Sequence, residues 1–208
     1  MKKNTIVHDA LVLAGFSLVL GLILGAVYQI TKPAIDLANK QKEQAAYFEV
    51  FEDAHIFEKV EYNAEDANAM MTEAGYKDTI DDVQAAQDKD GNIIGYVITV
   101  TANDGSQGAI TLSVGIKNDG TVNGYSILSH SETPGLGAKA TEEEFMSQFQ
   151  NKNVEEFVVV KTSPSADNEI ETIAGSTITS KAVANACNAA ILFVSSYGDT
   201  DSTVGGDK

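Results

Sequence analysis

Two short stretches carry residue types that organise chemistry. Residues 171–181, ETIAGSTITSK, set Gly175 ahead of four hydroxyls, those of Ser176, Thr177, Thr179 and Ser180. Glycine takes positive φ without steric cost. A helix that starts there offers N–H groups without intrahelical partners and the positive end of its dipole, which suits a phosphate. The same residues also make an ordinary Ser/Thr helix cap, and on their own they leave both readings open. Residues 129–139, SHSETPGLGAK, form the second stretch. Pro134, Gly135 and Gly137 shape a turn, Glu132 and Thr133 offer hydrogen-bonding groups, and Leu136 offers an apolar face.

Other chemistry is not encoded in familiar form. His8, His55 and His130 stand apart, and no HExxH or paired CxxC exists, so no metal site is expected. GxSxG, GxxxxGK[ST] and GxGxxG are all missing. The single Cys187 cannot make an intramolecular disulfide and falls in an apolar stripe, where it reads as core. The 208 residues carry a net charge of −16 and no arginine. Such a chain repels nucleic-acid phosphate and lacks the bidentate donors that read bases, so no nucleic-acid partner is expected.

Charge and hydropathy divide the chain. Residues 1–32 carry a net +2 and the remainder −18. Within the first part, ALVLAGFSLVLGLILGAVYQI (residues 10–30) has no charge, and at ~1.5 Å per residue it spans a bilayer core of ~30 Å. It is too long for a signal-peptide core, so the expectation is a retained membrane anchor over 10–31. Lys2 and Lys3 keep residues 1–9 in the cytoplasm and send the remainder outside. Ser17, Gly21 and Gly25 put small side chains on one helix face, which suits close approach by another helix. Residues 32–52 read as a helical stalk, and 53–198 as the folded domain. The polar, Gly-rich residues 199–208 read as a disordered tail.

The domain reads as α+β. A short helix is expected over 65–74, closed by Gly75, with Met70 and Met71 as core filler. Residues 92–101, 109–117 and 121–128 alternate as strands, with Asp90-Gly91 and Asp119-Gly120 supplying turns, giving a mainly antiparallel meander that starts near Val83. A helix over 142–150, a strand over 156–161 and a last helix over 178–195 complete the elements that hold the two loops.

Taken together, the two loops are far more specific than either alone. ETIAGSTITSK resembles a flavinylation motif, an acidic residue followed by a Ser/Thr-Gly-Ala-Thr core and a further hydroxyl. SHSETPGLGAK resembles the His-x-Glu-Thr-Pro-Gly-Leu-Gly loop of the same FMN-binding domain family. With one anchor and this length, the chain resembles the G subunit of Rnf ion-translocating electron-transport complexes, a relative of the C subunit of the sodium-translocating NADH:quinone reductase. The resemblance is strongest over about residues 90–195. It implies FMN attached covalently through its phosphate to Thr177 by a flavin transferase, with Thr179 as the runner-up acceptor. It also implies an electron-relay role beside the other proteins of the complex in the cytoplasmic membrane, with no catalytic residue of its own. Glu132, Thr133, Gly135, Leu136, Gly137, Gly175, Ser176, Ile178 and Thr179 would line the cofactor, and Lys139 or Lys161 could favour its reduced anion. Ser176 stands where the family usually has Ala, and Glu171 where it usually has Asp; Ser176 adds a competing hydroxyl. Two rival expectations remain: a stand-alone membrane-anchored FMN-binding reductase, and a structural or adhesion module whose hydroxyl-rich loop only caps a helix.

Overall fold

The computed structural model describes residues 3–201. The chain divides into two compact units after Lys42. Helix α1 (Lys3–Val50) runs without interruption through Pro33. From Ile6 to Lys42 every residue is exposed, including Leu13, Phe16, Leu18, Leu22 and Leu24. A helix of this length and apolarity that packs on nothing within its own unit has the length and composition to cross a bilayer. Its last turns belong to the second unit, where Tyr47, Val50 and Phe51 are buried against Ala86 and Val97.

The second unit is built on a five-stranded antiparallel meander, β1 (Ile56–Lys59), β2 (Thr79–Gln87), β3 (Ile93–Ala102), β4 (Ile110–Lys117) and β5 (Val122–Ser129), in consecutive order. Register pairs Val83 with Ile98, Val100 with Leu112 and Val114 with Tyr125, so one face is continuous β-branched and aliphatic core. Between β1 and β2, α2 (Ala64–Glu73) starts where the Asn63 Oδ1 accepts the Glu65 and Asp66 N–H groups, at 3.0 and 3.4 Å. Met71 is fully buried in the same core.

The last helix, α4 (Thr177–Asp201), packs on β3 and β4. Ala182, Val183, Ala186, Cys187, Ala190 and Ile191 form its buried face, each Val or Ile contributing roughly 1.5–3 kcal/mol. It runs to Asp201, into the stretch 199–208 that reads as a tail; residues 202–208 lie outside the described ones. The helix expected over 142–150 is instead one α turn, α3 (Glu143–Met146), between 3-10 turns at Gly137–Thr141 and Ser147–Phe149. Phe145 and Phe149 both turn into the core, their rings 5.5 Å apart. The expected strand over 156–161 is β6 (Val158–Val160), which pairs in parallel with β7 (Glu169–Glu171).

Candidate functional site

Strand β5 and helix α4 bring the two chemistry-bearing loops together. Directly after β5, Glu132 turns inward and is only 6% exposed. Its Oε2 accepts the Thr179 hydroxyl at 2.7 Å, and its Oε1 accepts the Gln107 backbone N–H at 3.0 Å. His130 supports the bend, its Nδ1 accepting the Glu132 N–H at 3.2 Å. The Thr133 carbonyl then accepts the Leu136 and Ala138 N–H groups, which closes the turn containing Gly135 at φ +74°.

Gly137 is the point of closest approach. A Cβ there would lie 2.3 Å from Glu132 Oε2 and 2.7 Å from Thr179 Oγ1, so no side chain fits without displacing that bond. Leu136, 45% exposed, reaches across to the hydroxyl-rich loop, and a Cβ at Gly175 would meet its Cδ2 at 3.5 Å. Gly175 itself holds φ +78°, the left-handed region that turns the chain into α4.

The four hydroxyls that follow Gly175 have different fates. Thr179 is fully buried and donates to Glu132. The Ser180 hydroxyl donates to the Ser176 carbonyl at 3.0 Å and accepts from the Ile173 N–H and the Thr172 hydroxyl, which fixes the turn from inside. Ser176 is 8% exposed. Thr177, the first residue of α4, is half-buried, and its hydroxyl makes no hydrogen bond among the described residues. Beside it Ile178 is exposed. The free hydroxyl thus sits at a helix start whose first N–H groups lack intrahelical acceptors, flanked in sequence by apolar surface.

A cleft of about 480 Å³ adjoins this turn, lined among others by Lys139, Glu142, Phe145, Gln148, Ile173 and Ala174. Lys139 therefore shares a cleft with the residues leading into Gly175, whereas Lys161 is exposed after β6 and absent from the cleft's lining. Sequence reasoning misses two supporting residues and the direction of a third. Gln107 acts through its backbone amide, which no side-chain type reveals. Gln148 binds the backbone of Glu171 on both sides, accepting its N–H at 2.6 Å and donating to its carbonyl at 3.4 Å. Ser180 belongs to a visible hydroxyl run, but its inward direction follows only from the helix phase.

The chain is similar to several known proteins. Residues 105–192 match the FMN-binding domain family, and residues 1–50 match the RnfG N-terminal region. The G subunit of the proton-translocating ferredoxin:NAD(+) oxidoreductase complex of Clostridium ljungdahlii is 36% identical over 177 residues, 85% of each chain. Its counterpart from the Na(+)-translocating complex of Acetobacterium woodii is 36% identical over 184 residues, 87% of each chain. The G subunit of the ion-translocating oxidoreductase complex of Methanosarcina acetivorans is 32% identical, over 86% of this chain and 89% of that one. A solved structure, the C subunit of the Na(+)-translocating NADH-quinone reductase from Parabacteroides distasonis, is 26% identical over 66% of this chain and 72% of that chain, with a TM-score of 0.44.

Proposed function

The chain belongs to the family of G subunits of ion-translocating ferredoxin:NAD(+) oxidoreductase complexes, and from that premise we propose that it carries electrons through an FMN esterified by its phosphate to Thr177. The observation that carries this reading is the contrast among the four hydroxyls. Thr179 and Ser180 are committed to Glu132 and to the turn, Ser176 is buried, and Thr177 is accessible and unbonded. Bound there, the flavin would supply reversible electron transfer. The protein's own residues supply the remainder. The start of α4 receives the negative phosphate, Gly175 keeps the approach open, and Leu136 and Ile178 offer exposed apolar surface for a ring system. The Glu132–Thr179 bond ties the 129–139 loop to α4, so the attachment point and the apolar surface move as one.

Residues 10–31 anchor the chain as a single pass, with Lys2 and Lys3 inside and the flavin domain outside the cytoplasm. The Ser17–Gly21–Gly25 face lets helices of the other proteins of the complex approach, and a dedicated flavin transferase matures the protein. The test is in-gel flavin fluorescence of this protein after coexpression with a transferase. Thr177→Ala should abolish the signal and Thr179→Ala should not; fluorescence retained in Thr177→Ala would remove the assignment.

A further inference from the structure

Away from the hydroxyl loop, the domain holds a second carboxylate with very different surroundings. Asp78, just ahead of β2, is 5% exposed, and both its carboxylate oxygens are buried without a hydrogen-bond partner. Asp104, in the loop between β3 and β4, has one oxygen in the same state. Its other oxygen accepts from the Asn185 side chain on α4 at 3.4 Å. The titratable groups that feel Asp78 add no positive charge: Asp104 from the loop, Tyr76 from the segment after α2 and Cys187 from α4. Glu156, near Tyr76, adds a further negative one. Neither Lys77, next to Asp78 in the chain, nor Lys181, one turn before Asn185 on α4, forms an ion pair with either aspartate. A carboxyl buried without donors beside a second acid is costly to ionise.

We propose that Asp78 is neutralised by a proton, and that this Asp78–Asp104 acid pair is a proton-controlled latch on the β3–β4 loop and, through it, on Glu132. The same loop that carries Asp104 donates the Gln107 N–H to Glu132 Oε1. At Gly105 the loop is so close that a Cβ would lie 3.1 Å from that oxygen. Loss of the proton places two negative charges together and pushes Asp104 and its loop away, which loosens the Gln107–Glu132 bond. Burial, then the charge of Asp104, lifts the Asp78 carboxyl from 3.8 to about 7, so the latch operates near neutral pH. Between about pH 4 and about pH 7 the folded chain holds a proton that the unfolded chain has released, so this group makes stability fall as pH rises through that window and adds no further change above it. The consequence for the cofactor rests on the flavin reading above, whereas the proton does not.

The full-length chain in detergent, produced without flavin, allows the two to be judged separately. Wild type and Asp78→Asn, which keeps the shape of the protonated acid, are unfolded by heat across about pH 5 to about pH 8.5. Wild type is expected to lose thermal stability over the lower part of this range relative to Asp78→Asn. Hydrogen exchange at the Gln107 amide, corrected for the intrinsic effect of pH, should accelerate in wild type only. A 13C titration of the wild-type aspartate carboxyls, which needs no variant, should show one that titrates near neutrality. Parallel pH profiles in the two proteins, or no aspartate titrating above about pH 5, would overturn the latch. A rise in wild-type melting temperature on adding calcium at neutral pH, absent in Asp78→Asn, would also overturn it by assigning the pair to a cation.

Discussion

Two buried acids in the same domain, Glu132 and Asp78, are treated in opposite ways. Both are about 5% exposed, and both are linked to the loop between β3 and β4. Glu132 has a donor for each oxygen, one from a helix hydroxyl and one from a backbone amide, and the glycine beside it leaves no slack. Neither oxygen of Asp78 has one, and the charge that acts on its carboxyl is that of another acid, Asp104. Burial alone therefore does not define a carboxyl's role: the donors around it do. Where donors are built in, the acid holds two segments together; where they are missing, it becomes a place for a proton.

Substitutions can break this contrast from either side. Glu132→Ala should have the largest effect. It leaves the Thr179 hydroxyl and the Gln107 N–H buried without an acceptor, at a cost of about 4 kcal/mol in denaturant unfolding, and should sharply lower flavin incorporation. Gly137→Ala forces a methyl against the same bond and should cost about 3 kcal/mol. Thr179→Val keeps the shape but removes one donor, for about 2 kcal/mol. Asp78→Asn should act in the reverse direction, its advantage over wild type growing by about 3 kcal/mol between pH 5 and pH 7 and no further above that. An Asp78→Asn that destabilises at neutral pH, or a Glu132→Ala as stable as wild type, would erase the distinction between the two sites.

The pH profile offers a further handle, because other acids act in a separate window. Asp88, Asp119 and Glu169 are held below their ordinary values by hydrogen bonds, first from the Asn92 side chain for Asp88, from the Thr121 N–H for Asp119 and from the Ser165 N–H for Glu169. Their stabilising effect is present above the unfolded value and is lost as pH falls through the folded one, in the acid range. The component assigned to Asp78 lies above it and has the opposite slope.

How far the sequence reveals these features depends on how local each cause is. The stripe from Ala182 to Ile191 is a local periodicity, and it is the buried face of α4. The meander follows from alternation and Asp-Gly turns, and Gly91 and Gly120 do adopt φ of +82° and +83°. Strands β1 (IFEK) and β7 (EIE) are too short and too charged to show alternation, so they emerge only from pairing. The meeting of the two loops is suggested by resemblance, but the bond that joins them, Glu132 to Thr179, spans 47 positions and leaves no local mark. Asp78 and Asp104 are less legible still. Two aspartates among thirty acidic residues look like solvated surface until the fold shows which oxygens lack partners.

The finest contrast lies within one turn of α4, between Thr177 and Thr179. Thr177→Val should change stability by less than about 0.5 kcal/mol, because its hydroxyl has no partner to lose. It should nonetheless remove the cofactor entirely. The most direct measurement is the mass of the tryptic peptide that ends at Lys181, taken from cells that contain a flavin transferase and fragmented to locate any adduct. One FMN-phosphate adduct on Thr177 is expected; an unmodified peptide, or an adduct on Ser176 or Thr179, would contradict the assignment.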